Sequence, residues 1–262
     1  MLKKVLKEAS EIVRFHELLR NLVVRDIKVR YRRSVLGFVW VMLNPLLMML
    51  VLSAVFSEVF RITTKNYTVY LLSGIVLWNF FSQSTAITVQ AFLGNSNLIK
   101  KIYVPKSIFP LSTIISALVN FLFSLVPLIL IVLFTGTPLS SRPHLLLIAL
   151  ALLFLFSLGI ALLLSTITVF FHDVVYIYDV VLLAWMYATP VFYPEEIIPE
   201  RFSVILHLNP MYYFMSLFRG GLYMDLPDVM SKISWGCMYA SVSLIVGFIV
   251  YIAYKDKVIY YL

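Results

Sequence analysis

Residues 34–57 carry no charge at all. A helix of that length reaches about 36 Å, enough to cross a bilayer with some tilt, and a run so long and so uniformly apolar has few other ways to fold. Further long apolar runs follow at 67–90, 108–135, 144–171, 174–190 and 233–254. The chain is 61% hydrophobic and 13% charged, against about 45–50% apolar and about 25% charged in soluble domains. Lipid must therefore solvate much of the surface, in keeping with a mean hydropathy of +0.95. The fold class read from this is an all-α polytopic membrane protein with six transmembrane helices.

Residues 1–33 differ from the rest. Lys3, Lys4, Lys7, Arg14, Arg20, Arg25, Lys28, Arg30, Arg32 and Arg33 outnumber Glu8, Glu11, Glu17 and Asp26 there. A cleavable signal would set a short apolar run directly after a few basic residues, so none is expected. Ile12, Phe15, Leu18, Leu19, Leu22 and Val23 recur at spacings of three and four, which predicts an amphipathic helix lying on the cytoplasmic membrane surface. Residues 34–262 then form a single six-helix domain. A polar turn with Glu58, Arg61 and Lys65 follows the first span, Pro127 is expected to kink the third, and His172 and Asp173 alone join the fourth and fifth, which predicts a tight hairpin. Between residues 191 and 232, Pro194, Pro199, Pro210 and Pro227 separate apolar pieces too short to span. Short re-entrant helices are expected there, since broken backbone survives at membrane depth only when packed in protein or lining a wet cavity.

Orientation follows from the basic residues. With the N-terminus inside, the tail, Lys100, Lys101, Lys106, Lys255 and Lys257 put 15 of the 21 Lys and Arg on the cytoplasmic side, leaving Arg61, Lys65, Arg142, Arg201, Arg219 and Lys232 outside. Both termini are expected in the cytoplasm, although the tail supplies nearly all of the asymmetry. The net charge of +8 is concentrated beside a span, where it suits anionic lipid headgroups rather than nucleic acid. One cysteine, Cys237, and four scattered histidines point to no disulfide and no metal site.

None of the nine glycines is followed by lysine, so the phosphate-cradling loop of P-loop ATPases is absent. ATP-driven work would need a second polypeptide. GxSxG and HExxH motifs are absent too, which argues against an intramembrane enzyme. The segment 94–110, GNSNLIKKIYVPKSIFP, reads either as a short helix presenting Lys100, Lys101, Tyr103 and Lys106 to a cytoplasmic groove or as an ordinary basic loop. Trp78, Phe80, Phe81, Trp185, Tyr187, Phe192 and Tyr193 are read near the outer ends of spans, as interfacial belt residues or as a path for sugar rings, whose apolar faces stack on aromatics. Asp179 is expected to face the bundle or to snorkel at its inner mouth. Arg25, Arg30, Arg32 and Arg33 either anchor headgroups or clamp a lipid-linked pyrophosphate.

Several blocks of sequence resemble one family. Arg25-Asp26, Lys28, Arg30-Tyr31-Arg32, Ser34-Val35-Leu36-Gly37-Phe38, Trp40 and Leu43-Asn44-Pro45 form the most specific block. NLIKKIYVP at 97–105, TPVFYP at 189–194 and NPMYYFMSLFRGGLY at 209–223 follow in order. The chain resembles the six-span permease subunits of ABC-2 type exporters for lipid-linked polysaccharides, which cover O antigen, capsule and teichoic acid. The resemblance implies a homodimer in the cytoplasmic membrane joined to two cytoplasmic ATPase subunits, which would bind the ATP and Mg, so this chain would be no enzyme and need no cofactor. It implies a coupling helix within about 94–107, with Asn97, Lys100, Lys101, Tyr103, Pro105 and Lys106 as the contact residues. It also implies paired re-entrant helices at about 191–232, and a polymer on an undecaprenyl-type pyrophosphate that arrives near the amphipathic helix and leaves between protomers. The alternatives are an ABC-2 exporter of a drug or small lipid, an intramembrane enzyme acting on polyprenyl lipids, and a secondary transporter. The last two are disfavoured by the lack of facing acid, base or ion-ligating residues in the spans and of an inverted repeat.

Overall fold

The computed structural model describes residues 8, 10–32, 34–58, 66–199, 201 and 203–262. Arg33, Arg61, Lys65 and the first lysines of the tail lie outside the described residues. Among those described, every regular element is helical: α1 His16–Tyr31, α2 Trp40–Glu58, α3 Tyr67–Thr88, α4 Ala91–Gly94, α5 Ser96–Lys101, α6 Ile108–Phe134, α7 His144–Thr168, α8 Val174–Tyr187, α9 Ser203–His207, α10 Pro210–Leu222, α11 Val229–Tyr254 and α12 Val258–Tyr261.

Among the described residues, four stretches are long and apolar enough to cross a membrane: Gly37–Phe56, Ile108–Phe134, His144–Thr168 and Val229–Tyr254. The other two expected spans depart from that standard for different reasons. α3 carries Ser73, Asn79, Ser82, Gln83, Ser84, Thr85 and Thr88, yet it is more deeply buried than any of the four long apolar helices, walled by α2, α6 and α7. Neighbouring helices rather than lipid solvate it, so its exterior need not be apolar. Its hydroxyls turn back on their own helix, with Ser73 donating to the Tyr70 carbonyl at 2.8 Å and Ser84 to that of Phe81 at 2.8 Å. α8 spans about 21 Å, short of a hydrocarbon core of about 30 Å.

The fourth and fifth runs are joined by a short turn and meet through Phe156 and Trp185, 6.2 Å between ring centroids, but their main packing lies elsewhere. α7 packs instead along α11 and against α10, while α8 leaves Tyr176, Ile177, Val180 and Leu183 exposed. Asp179 is exposed on α8 and does not face the bundle. The α7–α11 pairing rests on missing side chains: a Cβ on Gly247 would fall 2.0 Å from the Gly159 carbonyl oxygen, and one on Gly159 would fall 2.3 Å from the Ser243 backbone. Small residues let two backbones touch where apolar attraction alone cannot draw helices together in lipid. α6 continues through Pro127 from one end to the other.

α1 has the apolar face its spacing predicts, but protein covers much of it. Leu22 is buried and Phe15, Leu18 and Leu19 pack with it against Ala91, Phe92, Ile108, Phe109 and Tyr251. The corner after α1 depends on Gly37, whose φ of +50° suits glycine and whose N–H donates to the Ser34 hydroxyl at 3.1 Å. Tyr31 and Phe123 then hold Phe38 edge-on from both sides, at 5.2 and 4.5 Å between ring centroids. These contacts explain locally why the SVLGF block reads as it does.

Candidate functional site

Two adjoining hollows share Arg30 and Ile87 and run along α3, between α1, α2 and α6. The shallower, about 580 Å³, is bordered by Arg25, Asp26, Arg30, Gln90, Asn95 and Ser116. The deeper, about 420 Å³, is walled by Arg30, Asn44, Asn79, Gln83, Asn120 and Ser124 among apolar neighbours. Arg30 donates from Nη1 to Gln83 Oε1 at 3.0 Å. Arg25 is tied to Asp26 at 2.8 Å and Arg32 is exposed. The structure therefore brings Arg25 and Arg30 to one groove and leaves Arg32 outside it.

At the same, basic end of the bundle, α5 presents Asn97, Lys100 and Lys101 to solvent, and Tyr103 beyond it is 83% exposed. Pro105 is buried and Lys106 turns inward, its ammonium donating to the Lys255 carbonyl. Burial lowers the Lys106 pKa. Beside it, Glu8 accepts hydrogen bonds from the Tyr251 hydroxyl at 2.5 Å, Lys255 Nζ at 2.7 Å and the Ser107 hydroxyl at 3.0 Å. Burial alone would raise the Glu8 carboxyl, but these three donors and the Lys255 charge outweigh it and hold the group below its ordinary range. Glu8 thus clamps the N-terminal segment to the basic turn and to the end of α11. Because the folded carboxyl is depressed, the clamp is intact at neutral pH and is lost as pH falls through that lowered value. Replacing Glu8 by Gln removes the charge from the clamp and is expected to speed limited proteolysis of the N-terminal segment about tenfold at neutral pH. Unchanged cleavage would show that the packing of Phe15, Leu18 and Leu22 holds the segment alone.

The far end is built around irregular backbone at 188–194. Tyr67 donates to the Phe192 carbonyl at 2.6 Å, and Tyr70 to those of Pro190 at 2.9 Å and Tyr193 at 2.7 Å. Arg219, 5% exposed, donates to the carbonyls of Pro190 at 2.9 Å, Tyr70 at 3.2 Å and Val191 at 3.3 Å, with its guanidinium 3.5 Å from the Tyr70 ring centre. Asn209 caps α10 through the Met211 N–H, accepts from Trp185 Nε1 at 2.8 Å, and donates to the Ala188 carbonyl and the Thr189 hydroxyl. Non-helical backbone is thereby satisfied inside the protein, the condition for its survival at membrane depth.

The aromatic set separates on this frame. Trp78, Phe80 and Phe81 lie midway along α3, not at its end, and are buried among Phe121, Phe156 and Trp185. Phe192 is buried, Trp185 and Tyr193 are half-buried, and Tyr187 is 61% exposed. Of the seven, only Tyr187 has an exposed ring, while Phe80 reaches the deeper hollow from its wall. Among the described residues no group of His, Cys, Asp and Glu could hold a metal ion.

The ABC-2 type transporter family matches residues 17–223. The chain belongs to that family. It is 35% identical over 198 residues to the O-antigen export system permease protein RfbA of Klebsiella pneumoniae, covering 74% of this chain and 76% of the other. It is 34% identical over 231 residues to the protein of the same name from Myxococcus xanthus, covering 86% and 87%. The polysialic acid transport protein KpsM of Escherichia coli is 26% identical over 240 residues, covering 88% and 90%.

The Glu8 clamp lies beyond the residues that match the family, as Glu8, Tyr251 and Lys255 all fall outside 17–223. Sequence reasoning missed Glu8 because its partners Tyr251 and Lys255 sit at the opposite end of the chain. Arg219, read from the sequence only as one of the outer basic residues, is an interior staple, 5% exposed. The amides of the groove carried a weak signal: Asn44, Asn79, Gln83 and Asn120 are uncommon residues for apolar runs.

Proposed function

We propose that this chain is the membrane subunit of an ABC exporter that moves lipid-linked polysaccharide, of the undecaprenyl-pyrophosphate type, across the cytoplasmic membrane. The observation that carries the reading is its similarity, across most of both chains, to proteins named as O-antigen export permeases from two bacteria. The relative named for polysialic acid transport supports a polysaccharide cargo more widely than one O antigen. In this reading α3 and α8 serve as the second and fifth of six spans, α1 lies at the interface as an entrance platform, and α9 and α10 are the re-entrant pair. Both termini are cytoplasmic. Two copies of the chain assemble with two ATPase subunits, which bind the ATP and Mg.

α5 and the exposed Asn97, Lys100, Lys101 and Tyr103 face the ATPase, while Pro105 and Lys106 fix the turn that carries them. Arg25 and Arg30, with Arg32 and Arg33 nearby in sequence, receive the pyrophosphate. Tyr187, with Trp185 and Tyr193, faces the glycan path, and Trp78, Phe80, Phe81 and Phe192 back it from within. ATP binding shifts the permease between states only through differential contacts at the α5 surface.

In lipid vesicles, the chain co-purified with its ATPase is expected to hydrolyse ATP faster when polyprenyl-linked glycan is added. Reversing Lys100 and Lys101 to Glu should cut that stimulation about tenfold or more, while membrane insertion is unchanged. If no nucleotide-binding subunit co-purifies from native membranes, the exporter reading fails.

A further inference from the structure

We infer that the groove along α3 is a recognition site for the first sugar and the attached phosphate of the lipid-linked glycan, and so selects cargo before export. The inference deepens the proposed function and rests on it. Its basis is the order of chemistry along the groove. At the mouth stand two guanidinium groups, of which Arg25 is neutralised by Asp26. Arg30 spends one N–H on Gln83, and its remaining donors match an anionic oxygen.

Deeper in, charge gives way to amides and a hydroxyl: Asn44, Asn79, Gln83, Asn120 and Ser124. Among the described residues, the one cation on the lining of the deeper hollow is Arg30, which borders the outer hollow too, so a phosphate finds its cation where the two hollows meet rather than deeper in. A hydrocarbon chain placed there would strip water from the amides with nothing in exchange. A neutral hydroxylated ring satisfies both sides, because amides donate and accept as sugar hydroxyls do. The walls also offer Trp40, Phe80 and Phe121 to the apolar faces of such a ring. At about 420 Å³ the deeper hollow falls within the range of small-molecule sites.

Asn120 supplies an independent observation. It is 5% exposed, and its Oδ1 has no hydrogen-bond partner among the described residues. Such an acceptor, buried and unpaired, is destabilising until a donor arrives. A sugar hydroxyl in the deeper hollow is that donor.

The test uses the full chain in nanodiscs and reads the fluorescence of Trp40, with Trp40→Phe to identify its signal. Two probes are titrated: undecaprenyl pyrophosphate carrying one N-acetylhexosamine, and undecaprenyl pyrophosphate with no sugar. The wild type is expected to bind the sugar-bearing lipid about tenfold more tightly. Asn120→Leu should bring that lipid to the level of the sugar-free one and leave the sugar-free one unchanged, whereas Arg30→Gln should weaken both. Asn79→Leu repeats the test at a half-buried position, should the Asn120 variant fold poorly. Equal binding of the two lipids by the wild type, or a preference that survives both asparagine variants, overturns the sugar site while the exporter reading stands. If neither lipid is bound by the wild type, the lipid-linked cargo itself is overturned.

Discussion

Replacing Arg219 by methionine is expected to dismantle the far end of the bundle and abolish export. The guanidinium is buried with no carboxylate partner among the described residues; carbonyl oxygens of Pro190, Val191 and Tyr70 and the face of the Tyr70 ring receive its charge. Methionine has similar length but no donors, so the carbonyls of Pro190 and Val191 in the bend and of Tyr70 on α3 each lose a partner. An orphaned acceptor costs about 1–3 kcal/mol; the Pro190 carbonyl keeps the Tyr70 hydroxyl and the Tyr70 carbonyl keeps the Ser73 hydroxyl, so the Val191 carbonyl carries most of the loss. The expected loss is about 1–3 kcal/mol from that acceptor, with the stacking of the guanidinium on the Tyr70 ring lost besides. Lysine should rescue poorly, because a single ammonium cannot reach several carbonyls with the planar fork that arginine offers. Gly74→Ala tests the same joint from the other side: its Cβ would fall 2.7 Å from both Arg219 Nη2 and the Val191 carbonyl oxygen. Thermal unfolding in detergent should show a lowered midpoint for both variants. A midpoint equal to wild type for Arg219→Met would mean that Tyr67 and Tyr70 hold the bend unaided.

Much of this architecture was legible from where charges are missing. The runs at 108–135, 144–171 and 233–254 became α6, α7 and α11 with ends shifted by only a few residues, because a transmembrane helix must be continuous and apolar over a fixed length. The prolines between 191 and 232 marked broken backbone correctly, as Pro210 opens α10 and Pro194 precedes a short turn. What charge gaps cannot reveal is which side of a helix meets protein. Trp78, Phe80 and Phe81 looked like belt or path residues, but they pack inside because α3 is enclosed. α1 had a lipid-facing pattern and used much of it on Phe92, Ile108 and Phe109, since the same spacing serves a membrane surface or a neighbouring helix.

The candidate site was only half legible for a related reason. Arg25 and Arg30 stood out as charges beside a span, and both reach the groove. Asn79 and Asn120 did not stand out, because a single amide in an apolar run is equally a helix-packing contact. Only their convergence with Arg30 and Gln83 across three helices distinguishes them. Lys106 read as one more exposed lysine, yet the chain fold turns it toward the end of α11. Those distinctions depend on contacts between residues far apart in sequence, which periodicity and composition do not encode.

Gly247→Val is expected to have the largest effect on assembly of any single change outside the groove. A Cβ there would lie 2.0 Å from the Gly159 carbonyl oxygen, 2.8 Å from its carbon and 3.0 Å from its Cα. All three are backbone atoms of a buried helix, so no side chain can swing aside. Overpacking typically costs about 1–3 kcal/mol where neighbours can give; here α7 and α11 must move apart along their length, and the Ser243 hydroxyl bond to the Phe156 carbonyl, 2.9 Å, is broken with them. Gly159→Ala should act in the same direction, as its Cβ would meet Ser243 at 2.3 Å. Gly94→Ala is the matched control, since a Cβ there meets nothing within 4 Å. Size-exclusion profiles after detergent extraction should show aggregation for the Gly247 and Gly159 variants and a wild-type peak for Gly94→Ala. Should Gly247→Val elute as wild type, α7 and α11 do not pack backbone to backbone, and the helix that carries Tyr251 and Lys255 to the Glu8 clamp is free to shift relative to the bundle.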